Sequence, residues 1–105
     1  MKSNESHLHA VATLVEGDFL RGAAVLYNSL FKNGFKGPFI IGFRNAHDLP
    51  ADLRHRMNRL GSDFPKIEWV ELETDWHFTN YKAHFLLKLF QKFPDFEKIT
   101  YADPD

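Results

Sequence analysis

The chain has 105 residues, 44% hydrophobic and 26% charged, with thirteen Lys and Arg against fourteen Asp and Glu and no Cys. This length suits one domain that buries roughly two thirds of the surface its unfolded chain would expose, and the composition excludes disordered, collagen-like and coiled-coil classes. A formal net charge of −1 gives no basic field to attract nucleic acid or anionic lipid, and the lack of Cys removes disulfides, thiolate metal sites and thiol nucleophiles while fitting a reducing, cytoplasmic setting.

The first seven residues are polar, and no apolar run approaches the roughly 20 residues that span a bilayer, so neither a signal peptide nor a transmembrane segment is expected. Leu8 to Val15 is apolar on both alternating faces, the pattern of a strand covered on both sides in a parallel sheet. The turn Glu16-Gly17-Asp18 follows. Leu20, Ala23, Ala24, Tyr27, Leu30 and Phe31 then recur at helical spacing, with Asn33-Gly34 as the stop. Pro38 to Phe43 predicts a second strand, and the polar run Arg44 to Asp48 a loop. Leu49, Leu53, Met57 and Leu60 mark a weaker helix, with Pro50 in its first turn and Gly61 at its end. Lys66 to Leu72 is rich in residues that favour strands. A helix over about Thr79 to Phe93 is the clearest element, with Lys82, Phe85, Leu86, Leu89, Phe90 and Phe93 on one face and Pro94 ending it. Lys98 to Ala102 predicts strand four, followed directly by Asp103-Pro104-Asp105.

Strands alternating with helices predict an α/β fold, a Rossmann-like parallel sheet, as one domain over residues 1–105. In the doubly wound order 3-2-1-4 the carboxyl ends of strands one and four lie side by side where the winding reverses, and ligands bind there. Those ends carry Glu16-Gly17-Asp18 and Asp103-Pro104-Asp105, so an acidic crevice is expected. Asp103 and Asp105 project to the same side of an extended segment, and together they suit a hard cation such as Mg²⁺ or Mn²⁺; a solvated turn is the plain alternative. Neither a dinucleotide-binding glycine fingerprint nor a P-loop is present. A diphosphate in the crevice would therefore need a metal on the aspartates and a nearby cation. Lys82, in the first turns of the third helix, is that candidate, with Asn80 and Tyr81 beside it. None of the six His forms a His-Glu-x-x-His pattern, and Arg54, Arg56 and Arg59 have the spacing of a solvated helix face.

Three stretches together resemble the first half of a GT-A-fold glycosyltransferase: Gly22 to Leu30 after the first strand, Asn80-Tyr81-Lys82 opening a helix, and Lys98 to Asp105. The pattern is most similar to the glycogenin-like and lipopolysaccharide galactosyltransferase-like nucleotide-diphosphosugar transferases, and the Asp-x-Asp at the end of strand four is its one named motif. The resemblance implies a donor site in which Val15, Glu16, Gly17 and Asp18 border the nucleoside. It places Asp103 near ribose and metal, makes Asp105 a direct metal ligand, and sets Lys82 against the donor sugar or its phosphate, where Arg is the more usual residue. It also implies a UDP-sugar as partner and Mn²⁺ or Mg²⁺ as cofactor. Members of the family continue past the Asp-x-Asp with a third metal ligand, often His, and an acceptor-binding half. The expectation is therefore the donor half of a longer metal-dependent enzyme, with this chain alone inactive and the acceptor open.

Two other classes fit less of the sequence. A receiver-type signalling module also gathers acids around Mg²⁺, but it wants a phosphorylatable Asp at the end of strand three, and Asp75 comes several residues late. A non-catalytic α/β fragment would use its exposed sheet edge to pair with another chain.

Overall fold

The computed structural model describes residues 9–16, 19–44, 51–58, 66–75 and 78–103. Its elements are β1 (His9–Val15), α1 (Phe19–Lys32), β2 (Phe39–Phe43), α2 (Ala51–Asn58), β3 (Ile67–Glu71), α3 (Phe78–Lys92) and β4 (Lys98–Tyr101). The four strands form one sheet in the order β3-β2-β1-β4, and all three pairings are parallel. The expected α/β, Rossmann-like parallel sheet is therefore present, with the reversal of winding between β1 and β4.

The two central strands are the apolar ones. Every residue of β1 after His9 and every residue of β2 is buried, whereas β3 is half-buried and β4 alternates between exposed and half-buried. This is the gradient expected when central strands are covered on both faces and edge strands only in part. On one face Val11, Val15, Phe39, Ile41 and Phe43 pack with Ala23 and Tyr27 of α1 and Met57 of α2. On the other, Ala10, Ala12, Leu14 and Ile40 pack with Tyr81, Phe85 and Leu89 of α3. The molecule is thus three-layered, with α1 and α2 on one side of the sheet and α3 on the other.

Gly42 allows α3 to come close. A Cβ on Gly42 would lie 2.7 Å from two ring carbons of Phe85 and 3.0 Å from a methyl carbon of Leu14. Phe85 fills that space and is fully buried. The end of α1 is set by a Schellman turn: the Phe35 N–H donates to the Leu30 carbonyl at 2.9 Å and the Gly34 N–H to the Phe31 carbonyl at 3.1 Å. Gly34 has φ of 81°, the left-handed conformation in which a Cβ is costly.

Two predicted stripes are narrower than their sequence pattern. The buried line of α3 runs through Tyr81, Phe85 and Leu89, with Lys82, Leu86 and Phe93 half-buried at its side. Phe90 is exposed, because five residues beyond Phe85 it lies about 140° away around the helix. Phe31 is exposed as well, since Leu30 and Phe35 take the core positions at the end of α1. Of the predicted second-helix stripe Met57 is buried, while Leu49, Pro50, Leu60 and Gly61 lie outside the described residues. No helix among the described residues is long and apolar enough to cross a membrane.

Candidate functional site

Parallel strands all end at one edge of the sheet, and the helix before each next strand begins there. The carboxyl ends of β1 and β2, the segment after β3, the first turns of α3 and the residues after β4 therefore converge. Val15 pairs with Phe43, so the next residues, Glu16 and Arg44, stand side by side. Arg44 Nε donates to Glu16 Oε2 at 2.6 Å, Nη2 to Glu16 Oε1 at 3.3 Å, and Nη1 to the Thr74 carbonyl at 2.8 Å. One guanidinium thus ties together the ends of β1, β2 and the β3 exit. The hydrogen bond to Glu16 raises the Arg44 pKa above its ordinary value; burial opposes it, and the charges of Glu16 and Asp75 add to it. Glu16 is accordingly a held carboxylate at the carboxyl edge of the sheet, with both oxygens engaged.

The second pair stands across β1. Tyr101 is level with Ala12 in the β1–β4 register, and the Ala102 N–H still donates to the Ala12 carbonyl at 2.9 Å. Asp103, two residues past Tyr101, therefore lies near the height of Leu14, at the carboxyl end of the sheet. Lys82 projects from the first turns of α3 toward the same point. Its Nζ is 3.1 Å from Asp103 Oδ1 and 5.0 Å from the centroid of the Tyr101 ring. Lys82 stays half-exposed although it flanks the buried stripe, which is how a long cationic side chain covers apolar surface while keeping its head polar. Burial, followed by the Asp103 charge, raises the Tyr101 pKa, so its phenol stays protonated beside the ion pair.

Of the sequence-predicted site residues, the structure brings Lys82 and Asp103 together and puts Glu16 at the same edge. Val15 is fully buried, so its side chain belongs to the core and only its backbone is left for a ligand. Asn80 is exposed on the first turn of α3, and no described contact joins it to either pair. Gly17, Asp18 and Asp105 lie outside the described residues. Among the described residues no group of three or more His, Asp or Glu gathers as a metal site. Of the expected donors Asp103 is described: it is an exposed carboxylate that already attracts a positive group, and carboxylate oxygen is the ligand Mg²⁺ and Mn²⁺ prefer.

Two residues of this edge are not apparent from the sequence pattern. Arg44 reads as part of a polar loop and Tyr101 as one more strand aromatic. The available signal for Arg44 was register: if β1 and β2 pair in parallel, an acid just past one and a base just past the other fall opposite each other. No protein-family model matches the chain, and no curated protein does.

Proposed function

We propose that this chain forms the donor-binding half of a metal-assisted glycosyltransferase that takes a sugar from a nucleoside diphosphate, with a UDP-sugar as the donor. The observation that carries the reading is the Lys82 to Asp103 contact of 3.1 Å, which brings a cation and a carboxylate to the carboxyl edge, beside the reversal of strand order where α/β sheets take ligands. The resemblance of Gly22 to Leu30, Asn80 to Lys82 and Lys98 to Asp105 to GT-A-fold transferases, which takes in both residues, also supports it.

In this reading Glu16, fixed by Arg44, borders the nucleoside together with Gly17 and Asp18, and Lys82 neutralises charge on the diphosphate. Asp103 and Asp105 would hold Mn²⁺ or Mg²⁺, which when bound supplies positive charge to the departing diphosphate. Lys82 contributes in the same sense from the helix side, because an ammonium aimed at a leaving group is worth most where charge develops. The chain's own part is to bind and orient the donor. The absence of Cys suits a reducing compartment, and the cytoplasm is the setting we propose.

Strand order favours this reading over a receiver-type module. In the flavodoxin-like order strand three neighbours strand one, whereas here β4 does and β3 lies at the far edge.

Thermal unfolding of the chain with UDP, with Mn²⁺ and with both tests the proposal. A ligand bound only by the folded state, present at about a hundred times its dissociation constant, stabilises by about 2.7 kcal/mol. The expected result is a midpoint that rises by several degrees when nucleotide and metal are present together, more than with either alone, and a joint rise that is lost in Asp105→Asn. A cooperative transition that ignores the pair of ligands would refute nucleotide binding by these residues.

A further inference from the structure

A salt bridge and a metal ligand make competing demands on one carboxylate. Lys82 Nζ sits 3.1 Å from Asp103 Oδ1, so a second positive charge brought to the same carboxylate meets the repulsion of the ammonium. The Tyr101 ring, 5.0 Å from the ammonium, gives Lys82 a second attractive surface, and the Tyr101 phenol also hydrogen-bonds to Asp103. The side chains of Lys82 and Asp103 are 39% and 59% exposed, so the pair is held loosely enough to exchange partners.

We propose that Lys82 is the resident counter-ion of Asp103: it occupies the carboxylate when no divalent cation is bound, and it is released toward the donor diphosphate when one arrives. The inference rests on the donor-binding reading above and adds a coupling to it. A divalent cation that takes Asp103 frees an ammonium for the diphosphate, and a diphosphate that draws Lys82 away uncovers Asp103. By linkage each ligand must then favour the other to the same extent. Lys82 thereby opposes metal binding while assisting nucleotide binding, a combination that a merely structural salt bridge would not produce.

The test titrates the full chain with Mn²⁺ alone, by calorimetry at low salt, as wild type and as Lys82→Met. Removing the competitor tightens Mn²⁺ binding roughly two- to five-fold, the range expected for a half-exposed ion pair. The same variant weakens UDP binding in saturating Mn²⁺. A folded Lys82→Met chain whose Mn²⁺ affinity is equal to or weaker than wild type would overturn the coupling and leave the donor-binding reading standing. No Mn²⁺ binding by either chain at millimolar concentration would overturn both. Should Lys82→Met fail to fold, the lysine Nζ resonance of the wild type followed during a Mg²⁺ titration decides the matter: it shifts and exchanges faster with water if Lys82 is released, and a resonance that stays unchanged while Mg²⁺ binds overturns the proposal.

Discussion

Arg44 commits three N–H groups to two partners, the Glu16 carboxylate and the Thr74 carbonyl, and this decides how its replacements should behave. The side chain is 17% exposed and Glu16 38%, intermediate between a surface pair, worth at most about 1 kcal/mol, and a charged hydrogen-bond cluster worth about 1.5–3 kcal/mol. Arg44→Met is expected to cost about 1–2 kcal/mol, read as a lower urea midpoint at unchanged slope. Arg44→Lys should recover less than half of that, because a single ammonium cannot reproduce a planar fork that reaches two carboxylate oxygens and a carbonyl at once. If Lys performs as well as Arg, charge alone matters and the tie between the strand ends is not geometric. Arg44 was hidden in the sequence for a physical reason: both its partners are long-range, 28 and 30 residues away, and a loop Arg has no periodicity to give it away.

At the level of elements, the position of Lys82 depends on how α3 lies on the sheet, and Gly42 and Phe85 set that contact. A methyl carbon at position 42 would meet the Phe85 ring at 2.7 Å, closer than real contacts allow, and the ring is fully buried. Gly42→Ala should therefore destabilise by about 1–3 kcal/mol through overpacking. Adding Phe85→Leu should restore part of the loss, giving a favourable interaction energy in a double-mutant cycle measured by urea unfolding. Strictly additive costs would mean that α3 shifts to absorb the methyl group. The helix itself was legible from the apolar spacing of Phe85, Leu86, Leu89 and Phe93, but that spacing put Lys82 on the apolar face and left Tyr81 off it, whereas Tyr81 is buried and Lys82 lies half-buried at the side of the stripe. The outer limit of the stripe was not legible: spacing alone assigns Phe90 to the apolar face, and only the actual line of contact through Tyr81, Phe85 and Leu89 excludes it.

For the whole molecule, the order β3-β2-β1-β4 follows from alternation of strands and helices and from the doubly apolar character of β1 and β2, which demands layers on both faces. Those layers cover Tyr27 within the α1 cluster on one side of the sheet and, on the other, Tyr81 within the α3 cluster and Tyr101, half-buried, against it. The titration of Tyr27 and of Tyr101 is displaced. The phenol pKa of both is raised above the ordinary 10.0, by burial at Tyr27 and by burial and then the Asp103 charge at Tyr101. The folded chain therefore keeps these protons at a pH where the unfolded chain has begun to lose them. Between the unfolded and the folded pKa the unfolded state binds fewer protons, so the unfolding free energy falls as pH rises. The contribution is fully present below pH 10.0 and is lost as pH climbs through the folded values, with a slope of at most about 1.4 kcal/mol per pH unit for each tyrosine. Urea midpoints measured from neutral pH upward should stay level with respect to these groups and then drop past that point. Tyr27→Phe and Tyr101→Phe should each flatten the drop, and the double variant most of all, while lysine titration, common to all four chains, cancels in the comparison. Parallel curves for wild type and both variants would mean that the two phenols titrate alike in the folded and unfolded chain, and that neither layer shields its tyrosine from water.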